Sequence, residues 1–518
     1  MSAAPGRPRR TVIVGAGGAG APLAARLAAD PGRAVVLLEA GDSAPPPPEL
    51  LDGGALRGAL PGRPDGWRYE VELGRGRPDV IARGKRLGGS TAVNGGYFVR
   101  ATRDDFARWA AAGGPEWSYA RALPILRALE HELDPVRDTA LHGADGPVRV
   151  ARPPQDGPLA AAFTAAAREL GFPVEADKNA GGAPGVGAVP SNIIDGVRRS
   201  TATAYLEGAA LEAAARGRLE IRGGTRVLRV IIEGAAEGPR AVGVETERGP
   251  VAADEVVLSA GAIATPQLLL LSGIGPRAHL AEHGIGVVAA LPVGTALADH
   301  PNLALAWEPR RPVVDWEAGY GFPTALNLDA AAVDPALVPC PEGDLEILLG
   351  AKPLEFLLAG GRREAETLQF LVALQEHRGR GRLSLTSADP LDPPRIEYDY
   401  FAGAEDRRRM RAGVRAAVAL LRAPAFSEVF GRLIDLDGAV LDDDAALDDW
   451  ILARHGTALH TCATAPMGAV VDGAGRVRGV AGLRVADTSI LPSAPHRGPA
   501  NTAVFIGEFL ARAMLVGR

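Results

Sequence analysis

Two sets of residues in this chain have the types and spacing to do chemistry. The first is Gly15, Gly17 and Gly20, with Gly18 between them, in VGAGGAG, followed by Glu39 at the end of AVVLLE. A GxGxxG turn between a strand and a helix lets backbone approach a pyrophosphate. Its first glycine makes the tight turn, its second clears room for the phosphates, and its third lets helix and strand pack closely. The helix N-terminus adds unpaired N–H groups and partial positive charge. A carboxylate 19 residues on can take ribose hydroxyls and repels a 2′-phosphate. The second set is His460 in LHTCATAPMG. An imidazole with an ordinary pKa near 6.5 can accept a proton at neutral pH. A histidine among small residues can equally be a buried bridge between backbone groups, so His460 acquires meaning only from its surroundings.

The elements that must position these groups are readable in outline. TVIVG, the helix PLAARLAA and AVVLLE make a βαβ opening over residues 11–39, and the proline run 45–48 leaves it. Helical patterns follow at 104–112 and 119–132, the second with Ser118 as its expected N-cap, and another at PLAAAFTAAAREL. Strand patterns occupy 225–232, 240–246 and 255–259, and the last runs into GAIATPQLLLLSGIG, a second strand-to-glycine-to-helix passage. Residues 305–400 carry β patterns such as LEILLG, LQFLVAL and GRLSLTS. An amphipathic helix is expected at 404–423, and the tail ends with GLRVADTSI and a helix from about 502. Segments of α/β character at start, middle and end thus enclose β-rich inserts, the pattern of a nucleotide domain interrupted by a second domain.

Composition bounds the function. The 518 residues, 47% hydrophobic and 23% charged, suffice for two packed domains. A net charge of −6 argues against nucleic acid as a partner. Cys340 and Cys462 are the only cysteines and are far apart. That excludes a disulfide framework or cysteine metal site and suits a reducing cytosol. The basic start MSAAPGRPRR is followed by an apolar stretch too short for a secretion signal, and no run reaches the roughly 18–20 apolar residues of a membrane span. A cytoplasmic protein is expected, with peripheral contact at the inner membrane left open.

Several segments carry a resemblance. RGKRLGGSTAVNGGYFVRATRDDFARWAAAGG (83–114) and GAIATPQLLLLSGIGP (261–276) resemble the two signatures of the glucose-methanol-choline (GMC) oxidoreductases. PEWSYARALPILRALE, VGTALADHPN, LSLTSADPLDPPRI and GLRVADTSILP match further segments in the same order. The resemblance implies an α/β FAD-binding domain, Rossmann-like and of the GMC and glutathione-reductase type, interleaved with an α+β substrate domain built on an antiparallel sheet. The FAD domain is expected over 1–150, 191–304 and 455–518, the last part with the catalytic segment. The substrate domain is expected over 151–190 and 305–454.

Carried over by position, the resemblance implies that Glu39 and Ala40 meet the adenosine and Val227 the adenine. The Gly15–Gly20 turn and the backbone near Asp487 meet the pyrophosphate. Arg83, Gly88, Gly89, Ser90, Asn94 and Gly95 are expected beside the flavin ring, with Ala260 and Gly261 also at the cofactor. Val93 stands where some members attach FAD through a histidine, so a non-covalent flavin is expected. LHTCATAPMG resembles the family's His-x-x-Gly-Thr-x-x-Met-Gly, with Ala463 in place of the Gly. His460 is then the base that takes the hydroxyl proton of an alcohol as hydride leaves for the flavin. The family's second catalytic His or Asn falls on Gly498 or Pro499, neither of which can serve; His496 and Asn501 are the candidate substitutes, His496 preferred, and Asn501 is equally an N-cap candidate. His300 is a weaker site candidate, and no metal is expected. Within the family, the chain resembles the mycofactocin-associated dehydrogenases, which implies reduced mycofactocin as substrate and electrons passed toward respiration. The alternatives are a dehydrogenase or oxidase of a small alcohol, with a quinone or O₂ as acceptor, a hydroxynitrile lyase on the same fold, and a flavin-binding protein without activity.

Overall fold

A computed structural model describes residues 7–134, 138–207, 217–236, 238–360 and 367–516; most of the basic start lies outside them. The glycine turn grows out of a five-stranded parallel sheet. Its order is Leu219–Arg222, Arg33–Leu38, Arg9–Val14, Glu255–Leu258 and Leu483–Val485. The central strands are nearly continuous apolar runs, as a sheet covered on both faces requires, and Val12, Ile13 and Val257 are fully buried. The helices Gly20–Ala28 and Ala500–Val516 lie against one another. Their approach is close: a Cβ on Gly507 would stand 2.2 Å from the Ala19 carbonyl oxygen. Strands from the beginning, middle and end of the chain therefore build one nucleotide sheet.

The second large sheet is antiparallel. It runs Phe430–Leu433, Pro301–Pro309, Leu368–Leu374, Leu345–Leu349, Thr324–Leu328, Val186–Ala188, with Gly456–Thr457 beside Pro301–Pro309. Successive side chains of a strand alternate between faces. On one face, Leu345 and Val372 pack under the helix Ala404–Arg422, whose Gly413 would clash with both if it carried a Cβ, and Phe370 meets Phe163 of the helix Pro158–Glu169 edge-on at 5.1 Å. The other face, with Glu346, Leu348, Leu371, Ala373 and Asn302, looks into a cavity. The cavity lies where this face meets the nucleotide sheet.

Several local expectations change. The helix expected over 119–132 ends at Leu129, and Glu130–Glu132 pairs as a short parallel strand with Val148–Val150. Ser118 has the extended N-cap backbone but no side-chain cap bond. The helix expected near 502 begins at Ala500, so Asn501 lies inside it and is not its cap. A hairpin, Gly66–Gly74 with Arg77–Gly84, was not read from the sequence, yet it carries Arg83 to the cavity.

Candidate active site

A single cavity of about 650 Å³ runs from the glycine turn to His460. At one end, Gly15 is left-handed, at φ +98°, and a Cβ there would sit 2.5 Å from the Ser259 carbonyl oxygen. A Cβ on Gly20 would lie 1.9 Å from the Gly15 carbonyl oxygen, so only glycine fits. Gly17 meets nothing nearer than the Gly89 Cα at 3.8 Å, which leaves its backbone open. The helix behind has no side-chain cap at Ala19, and Gly17, Gly18 and Ala19 face the cavity. Glu39 is pinned by two backbone amides, Ala16 N–H to Oε2 at 3.0 Å and Gly41 N–H to Oε1 at 2.9 Å. Burial raises its pKa, and those amides pull it part of the way back.

The second glycine segment closes over the first. The Thr91 and Thr201 hydroxyls lie 3.0 Å apart, and Thr201 donates to the Gly17 carbonyl at 3.2 Å. Gly88 and Gly89 are left-handed, at φ +91° and +50°, as a turn this tight demands. Gly89, Ser90, Asn94 and Gly95 line the cavity, as do Ala40, Arg83, Val227, Ala260 and Gly261, whereas Gly20 and Gly88 support it from behind. Asp487 also lines the cavity, but its carboxylate is occupied. It accepts from the Gly261 N–H at 2.9 Å, the Thr265 hydroxyl at 2.6 Å and the Ser489 N–H at 2.9 Å. What this region can offer a phosphate is backbone.

At the other end, Asp299 staples two segments together. Its carboxylate accepts the His300 N–H (2.6 Å), the His460 N–H (2.9 Å) and the Thr461 hydroxyl (2.8 Å). This sets the His300 and His460 rings edge to face, with their Nδ1 atoms 2.8 Å apart. Burial, and then the nearby Arg83 cation, push the His460 pKa down to about 3; burial also pushes His300 well below its usual value. Both rings are therefore neutral, and one Nδ1–H donates to the other Nδ1. Ala463, where the resembling segment has glycine, adopts φ +65°, a left-handed backbone that alanine accepts only at a cost of roughly 1–2 kcal/mol.

The position facing His460 is a gap. A Cβ built on Gly498 would lie 3.4 Å from His460 Cε1 and Nε2, and 3.2 Å from the Tyr97 ring. Gly498 and Pro499 line the cavity and bring no polar side chain to it. The expected substitutes do not fill the gap. His496 is buried off the cavity: Nδ1 lies 3.0 Å from Asp105 Oδ1 and 2.9 Å from Arg108 Nη2, while Nε2 points to the Cys340 sulfur at 3.6 Å. Its backbone N–H is also taken by Asp105, at 3.0 Å. The pull of Asp105, which caps the helix Arg103–Gly113, turns His496 away. Asn501 is 1% exposed within its helix and does not line the cavity.

The family models decide what this architecture is. GMC oxidoreductase models match residues 10–302 and 377–507. The chain is a GMC oxidoreductase. It is 38% identical over 522 residues to an uncharacterized GMC-type oxidoreductase of Rhodococcus erythropolis, covering 98% of both chains. It is 35% identical to choline oxidase of Arthrobacter globiformis, covering 96% of this chain and 92% of that one. Among solved structures, pyridoxine 4-oxidase from Mesorbium loti superposes with a TM-score of 0.88 at 29% identity, over 98% and 99% of the two chains. FAD is the cofactor of GMC oxidoreductases, and the cavity fits it: a backbone phosphate cradle, a pinned carboxylate for ribose, and a glycine-lined slot. This GMC oxidoreductase acts on CH–OH donors, with His460 at the far end of its slot and no polar side chain at Gly498 or Pro499.

Proposed function

We propose that this protein oxidises an alcohol to its carbonyl compound, with His460 as the base. The observation that carries the reading is a neutral imidazole held by Asp299 and His300 at the end of the FAD slot. Bound in that slot, FAD supplies the two-electron acceptor. The competent tautomer has His460 Nδ1–H donating to His300 Nδ1, which leaves Nε2 bare toward Gly498 and the cavity. His460 Nε2 then takes the hydroxyl proton as the carbinol carbon is oxidised. Its depressed pKa keeps it ready throughout the neutral range. His300 is a positioning residue in this scheme, since it does not line the cavity and meets the site through His460. Gly498 puts no side chain beside Nε2, where even a Cβ would crowd the His460 and Tyr97 rings. Arg83, which donates to the Leu459 carbonyl, fixes the backbone just before His460.

The relatives' named substrates, choline and pyridoxine, are both alcohols, which supports the class without choosing a member of it. Reduced mycofactocin belongs in the same panel of candidate alcohols. The decisive measurement is anaerobic bleaching of the bound flavin. Replacing His460 with Ala is expected to slow bleaching roughly 10²–10⁴-fold while FAD stays bound. An unimpaired variant overturns the reading, and a parent enzyme that no alcohol bleaches points instead to lyase chemistry.

A further inference from the structure

The wall of the cavity formed by the antiparallel sheet is more polar than its strands suggest. Glu346, 6% exposed, stands between buried Leu345 and Ile347 in LEILLG. Its Oε2 accepts the Tyr97 hydroxyl at 2.6 Å and the Asn327 amide at 3.0 Å. No bond to Oε1 is present among the described residues, and Glu346 lines the cavity. The orientation of Asn327 is itself fixed, because Lys178 donates to its Oδ1 at 2.9 Å. On the neighbouring strand's extension, Gln375 is 2% exposed, lines the cavity and has a buried Oε1 without a partner.

Among the described residues, no nearby cation donates to Glu346 itself. Lys178 also donates to Glu175 at 2.7 Å and to the Gly185 carbonyl, and Arg497 donates to the carbonyls of His496 and Glu342. Tyr97 cannot supply another donor, since its one hydroxyl hydrogen goes to Glu346. Burial and the Glu346 charge hold that phenol well above its usual pKa, so it stays protonated. The result is an open acceptor, Glu346 Oε1, beside the Gln375 amide and Asn302 on a wall whose other side chains here are Leu348, Leu371 and Ala373. Tyr97 links this wall to the reacting end, because its ring and the His460 ring flank the same empty Gly498 position.

We propose that Glu346, with the Gln375 amide on the same face, forms a recognition site for a second hydrogen-bond donor on the substrate, a hydroxyl or an ammonium, placed one tyrosine away from the reacting carbinol. The site rests on the alcohol-oxidation reading and narrows its substrate class to diols and amino alcohols. A buried acceptor discriminates by what it leaves unpaired: an alcohol without the second donor strands the Glu346 carboxylate oxygen. Ammonium and hydroxyl share this chemistry, and the carboxylate charge separates them, since a charged donor gains more from it.

The test uses the purified holoenzyme and three matched alcohols: 4-methylbenzyl alcohol, 1,4-benzenedimethanol and 4-(aminomethyl)benzyl alcohol. Anaerobic flavin reduction is expected to favour at least one donor-bearing alcohol over the methyl compound by tenfold or more in the ratio of reduction rate to dissociation constant. Glu346→Gln, which keeps an acceptor in place, should lower an ammonium preference at least tenfold and a hydroxyl preference by less. Glu346→Leu should abolish both, with bound flavin reporting that each variant folds. Equal rates for all three alcohols, or a preference that survives Glu346→Leu, overturn the inference. Perturbation of the flavin spectrum by the non-oxidisable 4-methylbenzylamine and toluene reads binding separately. A slot that binds the amine at least tenfold more tightly, in a Glu346-dependent way, yet oxidises nothing would sink the proposed reaction and leave this site standing.

Discussion

At the scale of residues, the site is a set of fixed carboxylates and neutral histidines. Glu39 is held by two backbone amides, so its charge is aimed before any ligand arrives. Glu39→Ala removes a charge-assisted partner worth about 1.5–3 kcal/mol, and FAD affinity should fall by roughly 10–100-fold, read from the recovery of free-flavin fluorescence on dilution. Val93, 5% exposed in the cavity wall, offers no nucleophile to the flavin. Acid precipitation should therefore leave all yellow colour in the supernatant. Much of this was legible in the chain, because glycines, an acid at the end of a strand and a histidine before small residues are local signals. The partners of those residues were not. His300 reaches His460 from 160 positions away, and His496, two residues before Gly498, is captured by Asp105 from 391 positions away. Glu346 and Gln375 left one usable trace: a carboxylate in LEILLG and an amide closing LQFLVALQ are expensive in buried strands unless something needs them.

At the scale of elements, one close packing decides whether the slot exists. The Gly20–Ala28 helix can reach the sheet only because nothing projects from Gly20 toward the Gly15 carbonyl. Gly20→Ala would force backbone against side chain, at a cost of about 3 kcal/mol or more. The expected outcome is a protein purified without the visible absorbance of bound flavin and with a lowered unfolding midpoint. The parallel and antiparallel sheets were recognisable because their patterns differ, continuous apolar runs in one and β-rich inserts in the other. The hairpin Gly66–Gly84 was not. Its strand GWRYEVELG alternates polar and apolar residues, but RGRPDVIARG, rich in arginine and glycine, reads as loop until paired. Helix 119–132 was overread because Glu130 and Glu132 continue an acceptable helical pattern. What ends it is tertiary: Glu130, fully buried, ion-pairs with Arg100 and His142.

At the scale of the whole molecule, the buried histidines give stability a pH dependence. Burial lowers the folded pKa of His300 far below 6.5 and that of His455 to about 4. Above pH 6.5 they are neutral in both states and contribute nothing. Below it the unfolded chain binds their protons and the folded one does not, so stability falls as pH drops from 6.5 toward 4, by up to about 3 kcal/mol per pH unit for the two. His142 works the other way. Burial lowers its pKa, but Asp177 and Glu130 more than offset that and raise it to about 9. Its contribution is complete below pH 6.5 and is lost as pH rises through 9. Denaturant titrations of the holoenzyme should thus find a maximum between pH 6 and 7. The sheet order has a further consequence, for the moment of birth. Leu483–Val485 supplies the edge strand beside Glu255–Leu258, more than 220 residues after it. On the ribosome, the nascent nucleotide sheet must wait with the apolar edge of Glu255–Leu258 uncovered until Leu483–Val485 has been made. His460 lies in the interval between those two strands, so a chain cut short before it has neither this histidine nor the finished sheet.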